Sequence, residues 1–361
     1  MTEARLPFSS RITTILLGLT LTCFILYVGR DVLIPIAFAA IFAVVLYPVS
    51  RFLEQRKVPR ILAITIAIVL TCAILFGVAT FIAMQIGQFS EDVPRLKEQG
   101  TRYFTDLQAY IHETFGLTYP QQLKWLRQGA ESALTGESGM LSQTLLTFVD
   151  ITTLIVLVPL YAFLFLYYKD LLVEFLVKVF SHGSSTVREV LSEIRLVIKS
   201  YIVGLLFETI IVAVLNSIAL LLLGVEYAIL FGVIAAVLNL IPYVGILIGA
   251  ILPTVMALIT SNSLWSPLGV IGAFTFIQFL DNNFIVPYVV GSRISINAIV
   301  SILAVIVGGT LWGISGMFLS LPAVAILKVI FDRVDSLKPW GMLFGDEIPG
   351  KRRSKSKNVK A

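Results

Sequence analysis

Apolar runs long enough to cross a bilayer recur along this sequence from Ile12 to Ile330, and no other feature constrains the fold as strongly. A helix needs roughly 20 apolar residues to traverse the hydrocarbon core. Inside lipid an unpartnered backbone amide costs several kcal/mol, so each run has to satisfy its own hydrogen bonds as a helix. Composition agrees: 57% of the 361 residues are hydrophobic and 14% are charged, against about 25% charged in ordinary soluble domains. The sequence therefore predicts an all-α, polytopic membrane protein.

Charge sets an orientation. The formal charge is +5, but the basic residues cluster beside the spans and in the tail, which argues for membrane topology and against nucleic-acid binding. Ile12–Gly29 and Val32–Val49 read as the first two spans, joined by a tight turn at Arg30 and Asp31. The loop that follows carries Arg51, Arg56, Lys57 and Arg60 against one Glu54. The positive-inside rule puts it in the cytoplasm, and both termini with it.

A third span, 61–86, then delivers a polar stretch, 87–144, outside the cytoplasm. This insert reads as helical, with a start near Asp92 and Pro94 and a second helix near Gln121–Leu134. Residues 145–168 return, and 169–200 form an amphipathic elbow broken at Ser181-His182-Gly183-Ser184. Thr186 and Glu189 there have capping-box spacing. The organisation expected is thus 1–86 as three spans, 87–144 as the insert, 145–200 as a span plus elbow, 201–332 as the core, and 333–361 as a basic tail.

Two segments of the core are longer than one crossing needs and are broken in the middle, and the first reads as either a strongly kinked long helix or a helical hairpin, with the hairpin preferred. Residues 227–260 contain Pro242, Tyr243, Gly245, Gly249 and Pro253, with Pro242-Tyr243-Val244-Gly245 as the expected tip of a hairpin. Residues 297–330 contain Gly308, Gly309, Gly313 and Gly316. About six full spans plus two hairpins result, with Pro287 a further break after 281–283. Broken helices persist in lipid where neighbours or a water-lined cavity satisfy the freed groups, and such breaks are where transporters hold their substrate and ion sites.

Polar residues inside the spans are Glu208, Asn216, Asn239, Gln278, Asp281, Asn282, Asn283 and Asn297. An acid within a span costs at least about 2.5 kcal/mol and needs a compensating role. Glu208 is placed either in a cavity or at the interface beside Lys199 or Arg195. Asp281 is flanked by Asn282 and Asn283, which can donate to a carboxylate or offer carbonyls to a cation. Glu208, Asn239 and Gln278 join these three as the candidate pathway. No Walker A sequence, dinucleotide glycine pattern, histidine pair or disulfide framework is present, so no enzyme, cofactor or resident metal is expected.

Three segments carry a resemblance: NLIPYVGILIGAILP at 239–253, DNNFIVPYVVGSRISIN at 281–297 and VGGTLWGISGMFLSLPAVAILKVIFD at 307–332. In this order and spacing they resemble the autoinducer-2 exporter family of bacterial permease-like proteins. The resemblance implies an inner-membrane homo-oligomer, with a pentameric ring among the arrangements it suggests. Its implied activity is export of a small polar signalling molecule or cation/proton exchange. Many relatives place a histidine where Asn297 stands here. A secondary transporter for a small polar solute is thus the leading expectation, with proton or sodium coupling left open. A cation/proton antiporter, a channel and a membrane scaffold are the alternatives.

Overall fold

The computed structural model describes residues 8–115, 140–180, 184–240, 244–261, 263, 265–289 and 296–345. Every regular element among them is helical. Five helices are long and apolar enough to cross a membrane, and a sixth span arises if one bent pair is counted as a crossing. The second insert helix expected near Gln121–Leu134, the hairpin tip Pro242 and Tyr243, and residues 346–361 of the basic tail lie outside the described residues.

Contacts divide the chain into two units. The first comprises Met1–Ala67, Leu157–Leu206 and Val286–Ala361. Its helices α1 (Phe8–Val28) and α2 (Arg30–Gln55) are separated by Gly29 alone. The turn expected at Arg30 and Asp31 is replaced by helix: the Gly29 amide donates to Ile25 O and its carbonyl accepts from Leu33 N, so helical bonding continues across the break.

Helix α3 (Arg60–Phe115) begins in this unit, and α4 (Met140–Tyr167) ends in it. At Tyr168 the chain bends by 68° into α5 (Lys169–Val179). Arg60 locks the bend, donating to Leu166 O at 3.1 Å and pairing with Asp170 at 3.0 Å. Helix α6 (Ser184–Leu222) follows. It runs unbroken from the expected elbow into the expected span, because no helix breaker intervenes. Thr186 lies inside it and is not a cap; Glu189 reaches Arg333 at 3.4 Å instead.

The last long helix of the unit, α11 (Ala298–Arg333), is folded back on itself. Trp312 (φ −132°, ψ 17°) and Gly313 (φ 59°, ψ −138°) leave helical geometry there. Gly308 then lies so close to Gly316 and Ser320 that a Cβ at either glycine would strike the other's backbone. In a straight helix residues 308 and 320 would be about 18 Å apart. Gly309 packs on Met317 in the same antiparallel register. Trp312 donates from Nε1 to Leu26 O at 2.8 Å, and Phe318 stacks on Phe38. Asn297 caps α11, accepting from Val300 N at 2.9 Å, and its amide donates to Leu343 O and Gly345 O beside α12 (Lys338–Phe344).

The second unit comprises Ile68–Val156 and Phe207–Ile285. It contains α7 (Ala228–Asn239), α8 (Val244–Thr260) and α9 (Trp265–Leu280). Burial from water does not drive helix association in lipid, so close approach of small residues matters more. Gly249 meets Ala235, Gly245 abuts the Asn239 backbone, and Gly232 abuts Ser217, so α7 and α8 form a tight antiparallel pair laid on α6. Leu220, Phe231, Met256 and Val270 form the core beneath, and Leu96 of α3 inserts into it.

That insertion accounts for a correction. A helix start was expected at Asp92 and Pro94, yet α3 continues through both. Pro94 forfeits one backbone bond, while the stretch around it is held from the side. Phe89 packs on Tyr227 and Phe231, Tyr227 donates its hydroxyl hydrogen to Asp92, and Arg95 pairs with Glu226 at 2.5 Å.

Candidate functional site

Four segments of the second unit converge on one buried polar cluster. Glu208 comes from α6, Asn239 is the last residue of α7, Gln278 comes from the last turn of α9, and Asp281 opens a π-helical turn, Asp281–Ile285. Such turns insert a residue into the helical ladder and re-aim side chains. Pro287 follows in α10 (Val286–Val289) and cannot donate to the carbonyl of Asn283, which also loosens the ladder there.

Both acids are withdrawn from solvent, Glu208 being 7% and Asp281 2% exposed. Asn239 joins them: its Nδ2 donates to Asp281 Oδ2 at 3.1 Å and lies 3.4 Å from Glu208 Oε1. Gln278 Nε2 reaches Asp281 Oδ2 at 3.4 Å and Asn282 Oδ1 at 3.2 Å. Asp281 Oδ1 is buried and has no hydrogen-bond partner among the described residues. No lysine, arginine or histidine pairs with either acid among those residues.

A cavity of about 90 Å³ adjoins the cluster, lined by Asn216, Asn239, Gln278 and Thr275 with Gly245 and Phe274. It is roomy and polar enough for water. The structure thus brings Glu208, Asn239, Gln278, Asp281 and Asn282 together from positions up to 74 residues apart in the sequence. Asn283 turns away, donating to Phe279 O at 2.8 Å. Neither interfacial partner considered for Glu208 is in play as a bridge: Arg195 lies over the ring of Tyr47.

Among the glycines and prolines expected to form gates, Gly245 and Gly249 lie in the α7–α8 contact and Pro253 is buried in α8. Gly308, Gly309, Gly313 and Gly316 form the fold-back of α11, and Pro287 is exposed. Asn216, buried at 4% exposure, lines the cavity although sequence reasoning had not placed it in the pathway. Its signal was a lone amide in an apolar helix two turns from Glu208.

Residues 15–336 match the model of the AI-2E family transporter. YueF of Bacillus subtilis (strain 168) is 27% identical over 317 residues, 82% of either chain. YhhT of Escherichia coli (strain K12) is 23% identical over 340 residues, covering 91% of this chain and 92% of that one. The AI-2 transport protein TqsA of the same organism is 24% identical over 329 residues, covering 88% of this chain and 90% of that one.

Proposed function

The chain belongs to the AI-2E transporter family, and on that premise we propose that it is a secondary transporter whose coupling point is the pair Glu208 and Asp281. The observation that carries this reading is the single amide of Asn239 shared by two buried carboxylates. A carboxylate in a span is costly, and two with no basic neighbour among the described residues call for a proton or a cation to neutralise them. Taking up that charge is useful work only if it is tied to a movement. Asn239 supplies the tie, since it ends α7 and its backbone abuts Gly245 at the start of α8. Opening the hairpin would pull the amide off both acids. Loading the acids would in turn relax its hold on them.

The solute is a small polar molecule in this reading, with the AI-2 signal one candidate because a relative carries that name. Exchange of a cation for protons is the second reading, and the buried acid pair favours it. Both place the chain in the bacterial inner membrane as a homo-oligomer with cytoplasmic termini. The purified protein in liposomes, given imposed proton and sodium gradients in turn, should move solute or cation saturably and only with the gradient of its coupling ion. Flux that never saturates and ignores both gradients would instead mark a channel.

A further inference from the structure

A second polar cluster lies in the first unit. Tyr47 of α2 carries two cations against one ring: Lys169 Nζ at 4.7 Å and Arg195 Cζ at 4.5 Å from its centroid. The two charges are therefore closer than the sum of those distances, within a Debye length of about 10 Å at 0.1 M salt. Ring contacts do not cancel their mutual repulsion. Neither cation forms an ion pair among the described residues, whereas the neighbouring acids of α5 are already engaged, Asp170 by Arg60 and Glu174 by Lys178. Both side chains are half-buried, and Arg51 and Lys199 add charge one turn beyond Tyr47 and Arg195.

Helix α5 says what sort of anion belongs there. It starts at Lys169, directly after the 68° bend that ends an apolar helix. Leu171, Phe175 and Val179 recur every fourth residue along it and are 62%, 58% and 55% exposed. An amphipathic helix of this kind, turned off the end of a span, lies in the headgroup region with its apolar face towards the acyl chains. Its first residue then sits at phosphate depth.

We infer that Lys169, Arg195 and Tyr47 form a binding site for the phosphate of an anionic phospholipid, whose chains run beside the apolar face of α5. The bound phosphate supplies the negative charge that the two cations lack, and it holds α2, α5 and α6 together at the membrane surface. Clustered Lys and Arg beside a span attract anionic lipid, each with about a fivefold effect on association.

The test uses the full chain in phosphatidylcholine bilayers containing trace spin-labelled phosphatidylglycerol or spin-labelled phosphatidylcholine. The motionally restricted fraction of each label reports relative association. The protein should select phosphatidylglycerol, and Lys169→Gln or Arg195→Gln should each lower that selectivity about fivefold. Each variant's thermal stability in pure phosphatidylcholine separates lipid binding from misfolding. Inorganic phosphate should compete no better than chloride at equal ionic strength; specific competition would assign the site to soluble phosphate and overturn the lipid. Wild-type selectivity in both single variants would overturn the site itself. Neither readout depends on which solute the protein transports.

Discussion

Removing the Asn239 amide is the most informative perturbation of the acid cluster. Asn239→Ala deletes the donor serving Asp281 at 3.1 Å and the contact with Glu208 at 3.4 Å, leaving Asp281 with only the longer Gln278 bond. Hydrogen bonds to charged groups contribute about 1.5–3 kcal/mol each. If both acids were ionised the loss would approach about 3–6 kcal/mol, whereas neutral acids would cost about 1 kcal/mol per bond. The long Glu208 contact places the expectation near about 2–3 kcal/mol.

The sign with pH follows from the donor's preference for the ionised form. Lowering pH protonates the pair and removes the advantage of the donor, so the difference between wild type and Asn239→Ala should shrink in acid and widen in base. Equilibrium unfolding in mild detergent at several pH values measures it. A companion cycle with Asp281→Asn tests the pair directly, because once the carboxylate is gone the Asn239 truncation should cost about 1 kcal/mol less or better. A loss below about 0.5 kcal/mol at every pH, with no coupling in the cycle, would refute the shared-amide argument.

Gly313→Ala should destabilise by about 1–3 kcal/mol, because φ 59° with ψ −138° strains any residue with a Cβ; thermal unfolding checks it, and a wild-type midpoint would argue against the fold-back of α11. Asn297→Ala should lose about 1–2 kcal/mol by removing the cap of α11 and two bonds to the chain beside α12, while leaving the ion dependence of transport unchanged. A cysteine at Ser90 should react with an impermeant thiol reagent added outside intact cells, and one at Ser192 only after the membrane is opened. Reaction of the Ser192→Cys variant from outside would reverse the proposed topology.

Much of this arrangement was legible in the sequence where local chemistry decides it. Run length announced the spans, and the central glycines of 297–330 announced a break whose position, Trp312–Gly313, needed the structure. Gln278 and Asp281 were readable as neighbours because three residues make almost one helical turn. That Glu208 and Asn239 meet them was not readable, since nothing in an apolar helix encodes which face of a distant helix it will touch. The misplaced helix start at Asp92 has a similar cause. Local signals for a start were real, but Leu96 in the core and the Arg95–Glu226 pair hold the helix straight through Pro94. Thr186 and Glu189 likewise carry cap spacing, yet Arg333 from a remote helix claims the glutamate. The two cations on Tyr47 come from α5 and α6 and the ring from α2, so the cluster leaves no linear trace.

The central claim is that the Asp281 carboxylate couples ion and solute movement, and one flux experiment addresses it. Asp281→Asn keeps the size and hydrogen-bonding capacity of the side chain and removes only the charge. Reconstituted beside wild type, with proton and sodium gradients imposed separately, it should fold normally yet lose gradient-driven transport. Glu208→Gln should be impaired in the same assay because the two acids share Asn239. Asp281→Asn transporting at the wild-type rate under every gradient would contradict the account and leave Asp281 as no more than part of the π-helical turn.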